Sequence, residues 1–194
     1  AHGWKMVRYS RFTDKEEKVA RARGERVRVH FKKMREVGAA IKGMNVQEAI
    51  EYLEAVLEGK RGIPALRFTG GCGRHAVGKQ ERAPGNCVMF PTKPTKAMLN
   101  LLTNLVASAE IKDMPTDTLT LVHVQVNQAP KTRRRTYRAH GRISPYKACP
   151  AHVELIAQPE DDIVEKADDA TRVRRLTRKQ MAKLRIKLAS GATA

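Results

Sequence analysis

The sequence predicts an α+β fold with a projecting β-hairpin, on three observations. Residues 34–41, 46–57 and 95–109 repeat apolar side chains at helical spacing. Residues 119–129 and the run ending at Ala157 are Val-containing and strand-like. Between those two strands lies an acid-free basic segment, residues 129–146, with Lys131, Arg133, Arg134, Arg135, Arg138 and Arg142. Neighbouring cations repel one another unless a polyanion sits among them, and the planar, forked Arg side chain suits phosphate.

Residues 1–25 are polar and irregular, a basic N-terminal extension with Lys5, Arg8 and Arg11 and loosely spaced Trp4, Tyr9 and Phe12. Val27, Val29 and Phe31 then alternate with Arg26, Arg28, His30 and Lys32, the period of a half-buried strand with a basic outer face. A short helix follows, with Met34, Val37 and Ile41 on one side, and stops at Lys42-Gly43. Asn45 and Glu48 have the spacing of a capping box, Asn replacing the usual Ser or Thr. The helix behind them places Val46, Ala49, Ile50, Leu53, Val56 and Leu57 on one face and ends near Gly59.

Residues 59–94 change character, with glycines, prolines and cations in place of any periodicity. The stretch is too long for an ordinary connection inside a compact domain. It predicts an inserted loop that folds against something else, most simply RNA. From Thr95, Ala97, Met98, Leu101, Leu102, Leu105, Val106 and Ala109 form an apolar stripe that ends before Lys112-Asp113-Met114-Pro115.

The strand over 119–129 sets Val122, Val124 and Val126 on one face, and the later strand sets Val153, Leu155 and Ala157 on one face. Joined through the basic segment, the two make a long antiparallel hairpin. Its outer part, residues 127–147, has almost nothing apolar to bury. About ten residues per arm at ~3.3 Å each extend it some 30 Å. An isolated two-stranded ribbon is marginal in water, so a partner must hold it. In the tail, residues 159–194, acidic Glu160, Asp161, Asp162, Glu165, Asp168 and Asp169 precede an acid-free basic run. That run, Arg172, Arg174, Arg175, Arg178, Lys179, Lys183, Arg185 and Lys187, includes Val173, Leu176, Gln180, Met181, Leu184 and Leu188 at helical spacing, a basic amphipathic helix.

The totals favour a polyanion partner. The 194 residues carry a net charge of +18, which destabilises a compact free chain by self-repulsion. Hydrophobic content of 41% is enough for a core. Aromatics at 5% are too scarce for a chain that reads single strands chiefly by stacking bases, which leaves backbone and shape recognition of folded RNA. Three irregularly spaced cysteines, Cys72, Cys87 and Cys149, suggest no disulfide framework. Without an apolar span or signal segment, the chain is expected in the cytosol or nucleus, with no direct membrane binding.

Catalytic and cofactor readings fall short. Gly70-Gly71-Cys72-Gly73-Arg74-His75 resembles a phosphate loop, but Gly78-Lys79 is followed by Gln80 where magnesium needs Ser or Thr. Close approach of that backbone to an RNA phosphate fits better. Cys72, His75 and Cys87 lack the paired knuckle of structural zinc. Glu51, Glu54 and Glu58 occupy the outer positions of an amphipathic helix, a solvated face. The basic tail helix lacks aromatic membrane anchors. The chain is expected to be no enzyme, with no cofactor, no metal and no homo-oligomer.

Several segments, in order, carry a family resemblance. They are Val7-Arg8-Tyr9-Ser10, Val29-His30-Phe31-Lys32-Lys33 with Arg35-Glu36, Ala40-Ile41-Lys42-Gly43-Met44 and Val124-Gln125-Val126-Asn127. The series continues with Arg133-Arg134-Arg135-Thr136-Tyr137-Arg138-Ala139-His140-Gly141-Arg142-Ile143 and His152-Val153-Glu154. Over about residues 6–158 the chain resembles the universal large-subunit ribosomal protein twenty-two family, in its eukaryotic cytosolic branch, ribosomal protein seventeen.

The resemblance implies a small α+β body over 26–158, three helices on a three-stranded antiparallel sheet, sitting near the peptide exit. It implies that the hairpin threads between rRNA segments and lines the nascent-peptide exit tunnel. The expected partners are large-subunit rRNA, neighbouring large-subunit proteins and the nascent polypeptide, in the cytosolic ribosome after nucleolar assembly. Arg133, Arg134, Arg135, Tyr137, Arg138 and His140 fall at the distal hairpin, with Arg133, Arg134, Arg135 and Arg138 facing the tunnel. The remaining candidate RNA-binding residues are Arg8, Arg28, Lys32, Lys33, Lys42, Arg67, Arg74, His75, Lys79, Lys131, Arg142 and Lys147.

Overall fold

The computed structural model describes residues 9–11, 18–159 and 176–189. Arg8, the acidic residues of 160–169 and the cations Arg172, Arg174 and Arg175 lie outside the described residues. The chain divides into two units, Ala1–Glu160 and Asp161–Ala194. The first is α+β with antiparallel sheets. Its elements are β1 (Ala20–Val27), α1 (Phe31–Ile41), α2 (Val46–Leu57), β2 (Ile63–Pro64), β3 (Val88–Met89), α3 (Thr92–Glu110), β4 (Leu119–Gln128), β5 (Arg135–Tyr137), β6 (Ile143–Pro145) and β7 (Ala151–Pro159). The second contains α4 (Arg178–Ala189), on which Met181 and Leu184 are exposed.

The main sheet has the order β1-β7-β4, both outer strands running antiparallel to β7. Leu119, Leu121, Val153 and Leu155 face the helices, and Met34, Val37, Ile41, Leu53, Met98, Leu102 and Leu105 pack over them, all fully buried. Each such Leu, Ile or Met contributes roughly 1.5–3 kcal/mol by leaving water. This layer fixes where α1 and α3 begin, and that placement makes the candidate site.

The first strand differs from the alternation read in residues 26–32. β1 ends at Val27; the His30 ring accepts a hydrogen bond from the Lys32 N–H (3.3 Å), and Phe31 opens α1. The strand instead occupies Ala20-Arg21-Ala22-Arg23-Gly24 and onward. Its core-side residues are small because α3 approaches closely, and a Cβ on Gly24 would meet Leu101 at 3.3 Å. Ala and Gly are weak strand formers, so this alternation gives little signal.

Two smaller shifts have equally local causes. A bulge between Leu121 and His123 changes the phase of β4, so Leu121 and then Val124 and Val126 meet the core while Val122 leaves the apolar set. α3 starts at Thr92 and not at Thr95, since Pro94 in the first turn has no N–H to satisfy.

Residues 59–94, read as an inserted loop that folds against something else, also carry structure of their own. β2 pairs with β3, and two 3-10 turns, Ala76–Lys79 and Pro84–Asn86, pack together. Arg61 holds Glu81 through two bonds of 2.7 and 3.0 Å and lies 4.3 Å over the Tyr52 ring. The Tyr52 hydroxyl donates to the Gly62 carbonyl at 2.8 Å. Such long-range side-chain bonds leave no periodic trace in sequence.

Gly78 packs directly against backbone within the insertion: a Cβ there would meet Asn86 Cα at 2.7 Å. Gly78→Ala is therefore expected to loosen the insertion while the helices persist. Limited proteolysis between residues 70 and 87 should accelerate, with the helical circular dichroism unchanged.

Candidate nucleic-acid interface

α1 and α3 start beside the same cavity. It measures about 800 Å³ and is lined by Arg28, His30, Lys33, Thr92, Lys93, Arg134 and Lys147, among others. A helix N-terminus carries partial positive charge, and Asp or Glu in its first turn is the stabilising choice. α2 follows that rule, with the Asn45 side chain accepting from the Gln47 N–H (2.9 Å) and Glu48 in the first turn. α1 and α3 break it. Neither has an acidic residue in its first turn; Lys32 and Lys33 stand at one start and Lys93 at the other. The free chain is less stable for this, and an anion between the helix starts would reverse the effect.

A second cavity of about 590 Å³ shares His30, Lys33, Phe90 and Pro91 with the first and adds Lys32, Arg67, Phe68, the loop 69–73 and His75. Among the described residues no carboxylate lines either cavity. Glu36, fully buried, fixes the second wall. Its carboxylate accepts the backbone N–H groups of Leu66 (2.9 Å), Arg67 (3.2 Å) and Phe68 (3.1 Å) and pairs with Arg35 (3.1 Å). Burial alone pushes the Glu36 carboxyl up, but these four donors outweigh it and hold the group below its usual range.

Beyond β4 and β7 the two arms stay paired. The Ala129 N–H donates to the Pro150 carbonyl (3.1 Å), Thr132 bridges Ala148, and the Tyr146 N–H donates to the Arg134 carbonyl (2.6 Å). β5 and β6 then pair Arg135 with Pro145, Thr136 with Ser144 and Tyr137 with Ile143. The Arg138 N–H closes the end on the Arg142 carbonyl (2.8 Å), and His140 and Gly141 turn the chain with φ of 59° and 69°. Alternation separates the ribbon into two faces. One carries Arg134, Thr136, Arg138, Arg142, Ser144 and Tyr146, and the other Arg135, Tyr137, Ile143 and Pro145. The Arg134 guanidinium lies 5.6 Å over the Tyr146 ring.

The structure brings Arg28, Lys32, Lys33, Arg67, His75, Arg134 and Lys147 together at the two cavities. Lys131, Arg133, Arg135, Tyr137, Arg138, His140 and Arg142 are exposed along the ribbon. Arg74 and Lys79 are exposed on the insertion, outside both cavities. Lys42 stands apart, near His123, whose pKa falls through burial, Arg11 and Lys42 in that order. Phe68, Phe90 and Lys93 escaped the sequence reading. Lys93-Pro94 carried a helix-start signal, but nothing local connects Glu36 to residues 66–68.

The sheet face away from the helices gathers a polar group that sequence order did not suggest. Ser10 Oγ lies 2.6 Å from Glu154 Oε2, 3.0 Å from Gln125 Oε1 and 3.1 Å from His123 Nε2. The Ser10 N–H also donates to that carboxylate (3.0 Å). Burial pushes the Glu154 carboxyl up, while Ser10, Arg23 and His123 together bring it below its usual range. The short Ser10–Glu154 bond directs the hydroxyl proton to the carboxylate and not to the imidazole, which is tethering geometry and no nucleophile. Glu51, Glu54 and Glu58 are exposed. Among the described residues no group of three His, Cys, Asp or Glu could hold a metal, and no helix is long and apolar enough to cross a membrane.

The family model described as ribosomal protein L22p/L17e matches residues 22–158. The chain belongs to the L22p/L17e ribosomal protein family. It is similar to the large ribosomal subunit protein uL22 of Suberites domuncula, 43% identical with 95% of this chain and 97% of the relative covered. It is also similar to protein uL22A of Schizosaccharomyces pombe, 46% identical over 93% of this chain and 94% of the relative. The Drosophila melanogaster uL22 protein is 42% identical over 94% of this chain and 98% of its own length. Coverage on this scale extends the likeness past Pro159 into the tail, beyond the 6–158 span read from motifs. An L22p/L17e protein is a structural ribosomal protein, and the chain is not an enzyme.

Proposed function

We propose that this L22p/L17e protein is a structural constituent of the large ribosomal subunit that binds rRNA through its cavities and ribbon. In this reading the body docks on rRNA near the peptide exit of cytosolic ribosomes, after assembly in the nucleolus. The ribbon projects between RNA segments, and its end lines the nascent-peptide exit tunnel. Lys and Arg displace counterions from closely packed phosphates, so RNA helices can approach one another.

The observation that carries the reading is the ribbon itself. Lys131, Arg133, Arg134, Arg135, Arg138, Arg142 and Lys147 are all exposed, and among the described residues no carboxylate pairs with them. Tail contacts with neighbouring ribosomal proteins belong to the same proposal.

Deleting residues 131–147 tests the division of labour. The shortened chain is expected to enter large-subunit precursors while the yield of mature subunits falls, whereas Arg133→Ala alone changes little because phosphate contacts are many. Failure of the shortened chain to enter precursors at all would reverse the roles given to body and ribbon. Sucrose-gradient profiles with quantification of the tagged chain read both outcomes.

A further inference from the structure

We propose that the cavity beside the glycine loop takes one unpaired nucleotide extruded from RNA, its base against Phe68 and Phe90 and its phosphate toward the start of α1. The inference rests on the rRNA-binding reading and specifies the form of RNA that this face accepts. At about 590 Å³ the cavity falls within the roughly 300–1,000 Å³ usual for small-molecule sites. A smooth duplex backbone would use only its cations.

The lining divides by chemistry. Phe68, Val88, Met89 and Phe90 supply an apolar wall, and Lys32, Lys33, Arg67 and His75 supply the cations. The cations gather about the rings. Lys32 Nζ lies 5.5 Å and the Arg67 guanidinium 5.8 Å from the Phe68 centroid, and the His75 ring meets Phe90 edge-on at 5.4 Å. Phe90 keeps 38% of its surface exposed. A flat apolar face with one anionic group is the complement of this arrangement, and a nucleotide has that form.

Two further features favour entry. The three backbone N–H bonds donated to Glu36 hold residues 66–68 in place, so Phe68 need not be ordered on binding. A Cβ on Gly70 or Gly71 meets nothing within 4 Å, so the loop leaves open space for a ligand to approach its backbone. Gly71 has φ +78° and needs glycine, whereas Gly70 lies outside the left-handed region. Gly70→Val therefore fills part of the opening without a backbone penalty.

The test uses the full chain and two RNA hairpins with the same stem, one fully paired and one with a single bulged adenosine, titrated by fluorescence anisotropy in moderate salt. The wild-type chain is expected to prefer the bulged hairpin by about tenfold, the scale of one base stacked on an aromatic ring. Gly70→Val is expected to remove the preference, so that the two hairpins bind with equal affinity. Phe68→Leu, which keeps an apolar side chain against Phe31, should do the same. Equal binding of both hairpins by the wild-type chain, or a preference that survives both variants, would overturn the inference while leaving rRNA binding intact. Adenosine monophosphate at the RNA concentration is expected to leave the preference in place; its loss would assign the cavity to a free nucleotide instead. Binding to neither hairpin would overturn the rRNA reading and this inference together.

Discussion

Reversing the lysines at the helix starts, Lys32→Glu, Lys33→Glu and Lys93→Glu together, is expected to stabilise the free chain and weaken its hold on RNA. Carboxylates would then meet the positive helix ends, each gaining about 0.3–1 kcal/mol. For a chain of this size the sum raises the melting temperature by several degrees, at roughly 2–4 °C per kcal/mol. Binding moves the other way. Each RNA phosphate that is no longer neutralised should make the dependence of log K on log salt shallower by about one unit, so the triple variant gives up about three. Thermal melting of the free chain and salt titration of its complex with large-subunit rRNA measure the two effects. A structural role for these lysines predicts the opposite first result, a fall in melting temperature.

Removing the Glu36 carboxylate should be the most damaging single change to the body. The group is fully buried and receives the N–H groups of Leu66, Arg67 and Phe68 together with Arg35. Glu36→Ala strands three backbone donors, at about 1–3 kcal/mol for each left unsatisfied. A loss of about 3 kcal/mol or more is expected in denaturant melts, whereas Glu36→Gln keeps one acceptor and loses less.

The same group sets an acid limit on stability. Its folded pKa lies below the ordinary carboxylate value, so its contribution is complete above the unfolded pKa of about 4.3. It is lost as pH falls through the lower folded value. Wild-type stability should therefore decline below about pH 4 more steeply than that of Glu36→Gln. Parallel slopes for the two proteins across that range would remove Glu36 from the acid response.

What could be read from sequence followed the strength of the local signal. α2 was legible because Asn45 and Glu48 mark its start and six apolar residues mark its face. The basic ribbon was legible because the absence of acids over residues 129–146 needs no structure to notice. β1 was misplaced because the nearby Val27, Val29 and Phe31 give a louder alternation than Ala20, Ala22 and Gly24, whose small size serves close packing under α3. The internal structure of the insertion left no periodic signal because Arg61–Glu81 and Glu36 with residues 66–68 act across 20 to 32 positions. The candidate site suffered most from this. Lys33 and Lys93 are 60 residues apart, and only the folded layer of α1 and α3 brings both to one cavity.

The most direct test of the central claim is sedimentation of the tagged full-length chain with ribosomal subunits in salt of about 0.5 M, where interactions with single phosphates are largely screened. A chain that neutralises many phosphates at once is predicted to remain with the large subunit at one copy per particle. Release from the particles, or retention well below one copy, would contradict it.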